Sequence, residues 1–297
     1  MDLTPNPDQE ALLAATVEWC RAAMPLEHAC DRPQGLWREL DAMGWLGMTA
    51  PSMGLDHATE ALVFAELGRH VAPVAMISTA VARRWTTSED KVALCLISGR
   101  VARVFDAEGA QTALAWQEGA AVSLAWKGAA KASPGLDPSA SLSRFDPAPE
   151  TITLDDSRAG LHLQLLTAAF ALGCADAATD MAVDYAKLRE QFERPIGWFQ
   201  ALKHLCADMA VRCAVARSQL YYAACALDAD EPDATFHIAA AKRLADQAAL
   251  DNGRGNIQVH GGIGMTDEAY PHLCLKRAHL LSFIAPVANT ALLGESA

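Results

Sequence analysis

Aromatic side chains are scarce in this chain, at 6% of 297 residues, and charged residues reach only 20%. With hydrophobic residues at 52% and frequent Ala and Leu, that balance favours packed helices over a β-rich protein. Positive charge is also short: Lys and Arg number 24 against 36 Asp and Glu, a net charge of -12. This argues against a nucleic-acid footprint and against attraction to anionic lipid or a membrane surface. No apolar run approaches the roughly 20 residues that cross a bilayer. The opening Met1-Asp-Leu-Thr-Pro-Asn-Pro-Asp-Gln-Glu10 is acidic and polar, unlike a signal peptide. Eight cysteines are scattered without a CxxC pair, so the expectation is reduced, mostly buried thiols in a cytoplasmic protein. Cys206 and Cys213, two helical turns apart, suit a core stripe better than a metal site. Walker loops, zinc motifs and Ser/His/Asp hydrolase signatures are missing, so those enzyme classes gain no support.

What is present is a chain long enough for two or three layers around a large core, in three regions. Residues 8 to about 87 read as helices: Gln9 to Ala23, then Leu36, Trp37, Leu40 and Met43 on one face before Gly44, then Thr59 to Arg69 with a glycine at Gly68. Residues 91 to about 154 hold short apolar runs, Val92–Ile97, Ala102–Phe105, Ala113–Trp116 and Ala121–Trp126, separated by Gly109, Gly119 and Gly128. They predict a small antiparallel sheet. Ser133–Ser141 and Pro147–Pro149 read as loops. Alanine-rich helices return at Leu161–Tyr185, Gln200–Asp228 and Asp233–Asn252, each long enough for one member of a bundle.

Two C-terminal stretches stand out. One is Tyr185-Ala-Lys-Leu-Arg-Glu-Gln-Phe-Glu-Arg-Pro-Ile-Gly-Trp-Phe-Gln-Ala-Leu-Lys-His204; the other is Ile257-Gln-Val-His-Gly-Gly-Ile-Gly264. Together they resemble the flavin-binding signatures of the acyl-CoA dehydrogenase family. Trp37 to Pro51 and Glu60 to Gly68 look, more loosely, like that family's N-terminal helical domain, in the same order and at the same distance. The resemblance covers the last 140 or so residues well and the rest weakly. It implies a mainly α fold with a small β-domain: an N-terminal helical domain (1–89), a reduced middle β-domain (90–154) and a C-terminal four-helix bundle (155–297).

It also implies FAD. A pyrophosphate needs a fixed cation and backbone amides, and Arg189, read on a helix ending before Pro195, suits a guanidinium clamp. Gln191, Phe192, Phe199, Gln200 and Lys203 belong to the same motif. Phe192 would pack on the cofactor, and the glutamines and Lys203 would give polar contacts; a solvated helix with Phe192 in the core is the alternative. Gly261, Gly262 and Gly264 read as a turn that glycine allows cheaply, which a plain loop between helices explains equally well. Preceded by Gln258 and His260, they match the family segment that crosses a subunit interface to a neighbour's FAD. Glu193 stands where the family usually has glycine, a carboxylate close to the expected pyrophosphate unless Arg189 or Arg194 neutralises it or it points outward.

The family's reaction removes a proton from the α-carbon and a hydride from the β-carbon of an acyl-CoA, so a positioned carboxylate is required. Neither usual position holds one. Counting from Arg277 leads to Ala285-Pro286, and alignment on Arg189 and Gly173 leads to Leu163, between His162 and Gln164. Asp155, Asp156, Asp267 and Glu268 read as helix-start residues. His204, Asp208 and Arg212 read as salt-bridging on a bundle face, and His237, Lys242 and Arg243 as a solvated face. No counterpart of the family's flavin-holding middle segment stands between Asp90 and Asp155. The resemblance therefore implies a subunit without its own base, paired as a heterotetramer with a full-length acyl-CoA dehydrogenase chain, and passing electrons to an electron-transfer flavoprotein. Split pairs of this kind, in the family, act on the acyl-CoA esters of sterol or bile-acid side chains. Two alternatives stay open: a self-sufficient homo-oligomer with His162 as base, and a pseudoenzyme that only stabilises its partner.

Overall fold

Asn6 starts the first helix, α1 (Pro7–Ala23), with reciprocal capping. Its side chain accepts the Gln9 N–H at 2.9 Å while the Gln9 side-chain oxygen accepts the Asn6 N–H at 2.9 Å. The computed structural model describes residues 4–33, 35–128, 130–287 and 292. After α1 come α2 (Leu36–Ala42), α3 (His57–Arg69) and α4 (Ala75–Trp85). Gly44, at φ 78°, ends the α2 segment in the left-handed region. Gly68 has a different task from the helix stop its sequence suggests, because α3 runs on through it. A Cβ there would lie 2.4 Å from the Phe170 carbonyl oxygen, and one at Gly173 would lie 2.0 Å from the Ala65 oxygen. These two glycines let α3 cross the long helix α5 (Arg158–Leu188) backbone to backbone.

The middle region is one seven-stranded sheet: β1 (Val92–Ser98), β2 (Val101–Phe105), β3 (Thr112–Gln117), β4 (Ala120–Ala125), β5 (Ala132–Ser133), β6 (Leu142–Phe145) and β7 (Thr151–Thr153), in the order β5-β6-β2-β1-β3-β4-β7. The antiparallel expectation needs a correction. β1 and β3 are parallel, with Val92 opposite Thr112 and Leu94 opposite Leu114. The hairpin β1–β2 returns the chain to the start of β1, and residues 106–111 then carry it past that end to the other side of β1. Two strands also arise beside segments read as loops, β5 ending at Ser133 and β7 following Pro147–Pro149. Val92, Leu94, Phe105 and Leu114 turn toward the helices and join the main core, while Ala93, Cys95, Val104 and Ala113 pack on the opposite face.

The bundle is α5, α6 (Gln200–Asp228), α7 (Ala234–His260) and α8 (Pro271–Ser282). By length and composition α5 is apolar enough to cross a membrane, contrary to the expectation that no run comes close; 94% of its most apolar 18-residue window is buried in the protein, as in a core helix. The helix α7 outruns its expected end at Asn252 by two turns. Gly253 and Gly255, residues that weaken a helix, stand where α8 and α6 press in: a Cβ would meet Leu275 at 3.1 Å and Met209 Sδ at 3.0 Å respectively. Gln258 and His260 are therefore helical, not part of a loop.

Buried charges join the regions. Arg277 of α8 is fully buried, pairs with Asp137 from the β5–β6 loop, and donates to the Ala72 carbonyl and to Ser139 Oγ. Lys242, expected on a solvated face with His237, is instead fully buried against Asp246 and the Leu281 carbonyl. Burial lowers the Lys242 pKa and raises that of Asp246, each opposed by its partner. Arg212 reaches Asn252 at 3.3 Å rather than Asp208.

Candidate functional site

The two C-terminal motifs issue from the same end of α5 and α7. Tyr185 on the last turns of α5 stacks on His260 at the end of α7, ring centroids 4.1 Å apart. His260 donates through Nδ1 to the Asn256 carbonyl at 2.9 Å, and burial lowers its pKa. Beneath the stack Ala182, Ala186, Met209 and Val259 form a small core with Ile196, which ties the first motif to the second.

Arg189 is not on the helix but just past it, as its C-cap, with extended backbone at φ -73° and ψ 123°. Its N–H donates to the Tyr185 carbonyl and its carbonyl accepts the Ile196 N–H, both at 2.8 Å, so the backbone is fixed while the guanidinium is exposed. No ion pair holds that guanidinium among the described residues. A two-residue hairpin follows, β8 (Glu190–Gln191) against β9 (Arg194–Pro195), with Gln191 opposite Arg194. Its turn residues Phe192 and Glu193 have φ 54° and 63°. Both angles belong to the turn type that prefers Asn-Gly, so Glu193 keeps a backbone shape that suits glycine. The Glu193 carboxylate is exposed, and Arg194 lies over the Trp198 ring at 5.6 Å rather than neutralising it.

Phe192 is 82% exposed, which removes the reading that it fills the core. It meets Phe199 edge to face at 6.0 Å. Gln200 opens α6 and is exposed, and the Gln191 amide donates to the Glu190 carbonyl at 2.8 Å. Gly197 lets the chain fold back on α5, where a Cβ would lie 2.9 Å from the Ala186 oxygen. Beside these expected residues the sequence reading missed the apolar surroundings: Leu188 is 80%, Trp198 64% and Met265 63% exposed, and Ile263 joins them. Their signal was present in the motif itself, which sets Leu, Phe, Trp and Phe among polar residues with nothing periodic to bury them.

At the second motif, Gln258 is exposed on the last turn of α7. Of the three glycines only Gly261 needs glycine conformationally, at φ 66° and ψ -146°. Gly261 and Gly262 face open space, whereas Gly264 is buried and a Cβ would approach the His260 Cβ at 3.0 Å. The segment is a short 3-10 turn, not a free loop.

His162 is fully buried. Trp85 Nε1 donates to its Nδ1 at 3.0 Å, so Nδ1 is unprotonated and Nε2 carries the proton that it donates to Glu60 at 2.6 Å. Burial lowers its pKa, and Glu60 opposes the shift. With both nitrogens engaged and no exposure, His162 links α3, α4 and α5. Nearby, His57 Nδ1 bonds Asp228 at 2.6 Å, extending the network to α6. Leu163 is fully buried in the main core. The Gln164 amide donates to the Ala285 carbonyl at 3.0 Å, so the two places where the resemblance seeks a glutamate adjoin each other. Asp156 accepts the Arg158 N–H at 2.9 Å, a helix-start role, and is held below the usual carboxylate range by the hydrogen bond from the Arg158 side chain. No cluster of His, Cys, Asp and Glu able to hold a metal occurs among the described residues.

Tested against FAD, the exposed residues fit one edge of a dinucleotide: an unpaired guanidinium, free amides at Gln200 and Gln258, two aromatic rings, and backbone open at Gly261 and Gly262. They are exposed side chains and backbone on one open surface among the described residues.

A helical N-terminal region, a mid-chain sheet and a bundle bearing these motifs define a dehydrogenase-type architecture. Family models agree: the acyl-CoA dehydrogenase C-terminal domain matches residues 161–285 and the acyl-CoA dehydrogenase N-terminal domain residues 6–88. Acyl-CoA dehydrogenase IpdE2 of Mycolicibacterium smegmatis is 30% identical over 288 residues, covering 89% of this chain and 87% of that protein. The chain belongs to the acyl-CoA dehydrogenase family. Among solved structures, the ChsE4-ChsE5 complex from Mycobacterium tuberculosis matches with a TM-score of 0.76 at 21% identity, over 100% of both chains. The Tcur3481-Tcur3483 steroid ACAD G363A variant matches with 0.77 at 22% identity, over 97% and 96%. PigA with FAD and proline matches with 0.78 at 16% identity, over 99% and 98%. These likenesses show the fold.

Proposed function

We propose that this chain is the base-less subunit of a heteromeric, FAD-dependent acyl-CoA dehydrogenase. Its role is to complete the FAD site of a full-length partner chain that carries the catalytic glutamate, in an assembly of two chains of each kind. The observation that carries this reading is the pairing of a missing carboxylate with an open half-site. Leu163 is core, Ala285 is capped by Gln164, and His162 is sealed between Trp85 and Glu60. Meanwhile Arg189, Gln191, Phe192, Phe199, Gln200, Gln258, Gly261 and Gly262 lie on an open apolar surface, with Gly264 supporting the turn from beneath. Solved relatives named as two-protein complexes and as a steroid enzyme support the same reading.

Bound at this edge, FAD supplies the two-electron oxidation of the Cα–Cβ bond. This chain's part is to hold the pyrophosphate with Arg189, give amide contacts from Gln200 and Gln258, and exclude water with Phe192, Phe199 and Trp198. The substrate is an acyl-CoA thioester, here assigned to a steroid side-chain ester in lipid degradation by β-oxidation. An electron-transfer flavoprotein would be the partner that takes up the electrons. Eight free cysteines fit work in the reducing cytoplasm. The test is Arg189→Ala in the co-purified complex: flavin is lost on dilution from the variant and kept by the unaltered complex, whereas a purely stabilising subunit would leave flavin content unchanged.

A further inference from the structure

Four helices, α1, α3, α5 and α6, leave a hollow of about 290 Å³ between them, close to the lower end of the range of about 300–1,000 Å³ typical of small-molecule pockets. Each helix gives it one leucine: Leu13, Leu62, Leu172 and Leu220. Four charged side chains add to the lining, Glu66 and Arg69 of α3, Asp176 of α5 and Arg217 of α6. None of these residues belongs to the FAD-facing surface or to the positions where a base is expected.

The charged groups are only partly engaged. Arg217 reaches both oxygens of Asp176 through one nitrogen, Nη2, each at 2.7 Å, so its Nε and Nη1 have no partner among the described residues. Arg69 likewise pairs with Asp180 through Nη2 alone. Glu66, 9% exposed, meets His70 Nε2 with Oε1 at 3.2 Å, and its Oε2 has no partner among the described residues.

Cavities that stay empty are apolar throughout; this one ends in two cationic forks and a carboxylate oxygen, each anchored by its other partner. Two guanidiniums against two carboxylates leave the lining without net charge. A simple anion would meet Glu66 and Asp176, and a simple cation would meet Arg69 and Arg217. The complement is a molecule that is neutral overall, with both signs of charge at one end and hydrocarbon at the other.

We propose that this hollow binds, without reaction, a free apolar α-amino acid of about the size of leucine or phenylalanine. Its carboxylate accepts from the free arms of Arg217 and Arg69, its ammonium group donates to Glu66 Oε2, and its side chain lies among the four leucines. Since the lining joins α1 and α3 to α5 and α6, the bound ligand holds the N-terminal helices to the bundle and stabilises the chain. The site does not depend on the flavin reading.

Calorimetric titration and thermal melts of the purified full chain with L-leucine, L-phenylalanine, isocaproate and isoamylamine test it. Isocaproate is leucine without its ammonium group, and isoamylamine is leucine without its carboxylate. Saturable one-site binding with a raised melting temperature is expected for at least one amino acid, and roughly tenfold or weaker affinity for both analogues. Glu66→Gln should weaken the amino acid roughly tenfold. Leu62→Trp fills the hollow while keeping every charge, and should abolish binding in a chain that still melts cooperatively. Phe192→Ser on the other surface should leave binding unchanged. No saturable binding by either amino acid, an analogue that binds as tightly as leucine, or binding that survives Leu62→Trp overturns the proposal.

Discussion

The side-chain amide of Gln164 donates to the main-chain carbonyl of Ala285 at 3.0 Å, across 121 residues of sequence. This bond joins the start of α5 to the segment after α8, the two places where an acyl-CoA dehydrogenase is expected to carry its base. An amide and a carbonyl occupy ground where the resemblance looks for a carboxylate. Gln164→Leu removes the donor and leaves a buried carbonyl unpaired, at a cost of about 1 kcal/mol. Denaturant melts should show that loss, while turnover per folded complex stays unchanged under the proposed function, which gives the base to a partner chain.

His162 should matter to stability rather than to chemistry. His162→Gln strands the Trp85 N–H or the Glu60 carboxylate in the core, costing about 1–3 kcal/mol. Turnover of the folded complex should keep its pH profile. A variant that stays folded but loses turnover would restore His162 as a base.

Acid should weaken the fold through the same histidine. Burial holds the His162 pKa below its ordinary 6.5, and His260 and His272 shift the same way for the same first cause. The unfolded chain then takes up protons near pH 6.5 that the folded chain refuses. Stability from these groups is full above that value and falls as pH drops through it toward the lower folded values. Urea midpoints measured at about pH 7.5 and about pH 5.5 should differ, and His162→Gln should shrink the difference.

The Arg277–Asp137 pair makes a separate claim about the fold. Removing one partner leaves a buried charge alone, so Arg277→Ala should cost about 3–5 kcal/mol. A double variant, Arg277→Leu with Asp137→Leu, should lose less than the sum of the single losses, and thermal melts of the four proteins give the coupling directly.

At the hairpin turn the backbone and the side chain make the same demand. Glu193 sits at φ 63°, so Glu193→Gly relieves strain and should stabilise the chain by about 0.5–1 kcal/mol. It also removes an unneutralised carboxylate from the expected pyrophosphate position. Melting temperature and flavin retention should both rise.

Much of this architecture was legible because period and propensity agreed: α6 begins and ends at the residues its pattern marks, and the four long strands fall on the four apolar runs. What escaped was set by contacts between distant segments. Gly68, Gly253 and Gly255 look like helix breakers until the backbones that press on them are known. The parallel pairing of β1 with β3 depends on a short crossing under β1, and strand patterns carry no direction. Lys242 is a polar residue in sequence and a buried ion pair in the fold, because Asp246 one turn later compensates it. At the candidate site the residue types were legible, but exposure was not: only the folded chain shows Phe192, Trp198 and Phe199 turned outward around Arg189.

Flavin content measured on this chain purified alone, and again after co-expression with a full-length acyl-CoA dehydrogenase partner, tests the central claim most directly. The half-site reading predicts a colourless, inactive chain alone and a yellow, active complex with about one flavin for every two chains. A yellow protein that turns over acyl-CoA by itself would contradict it.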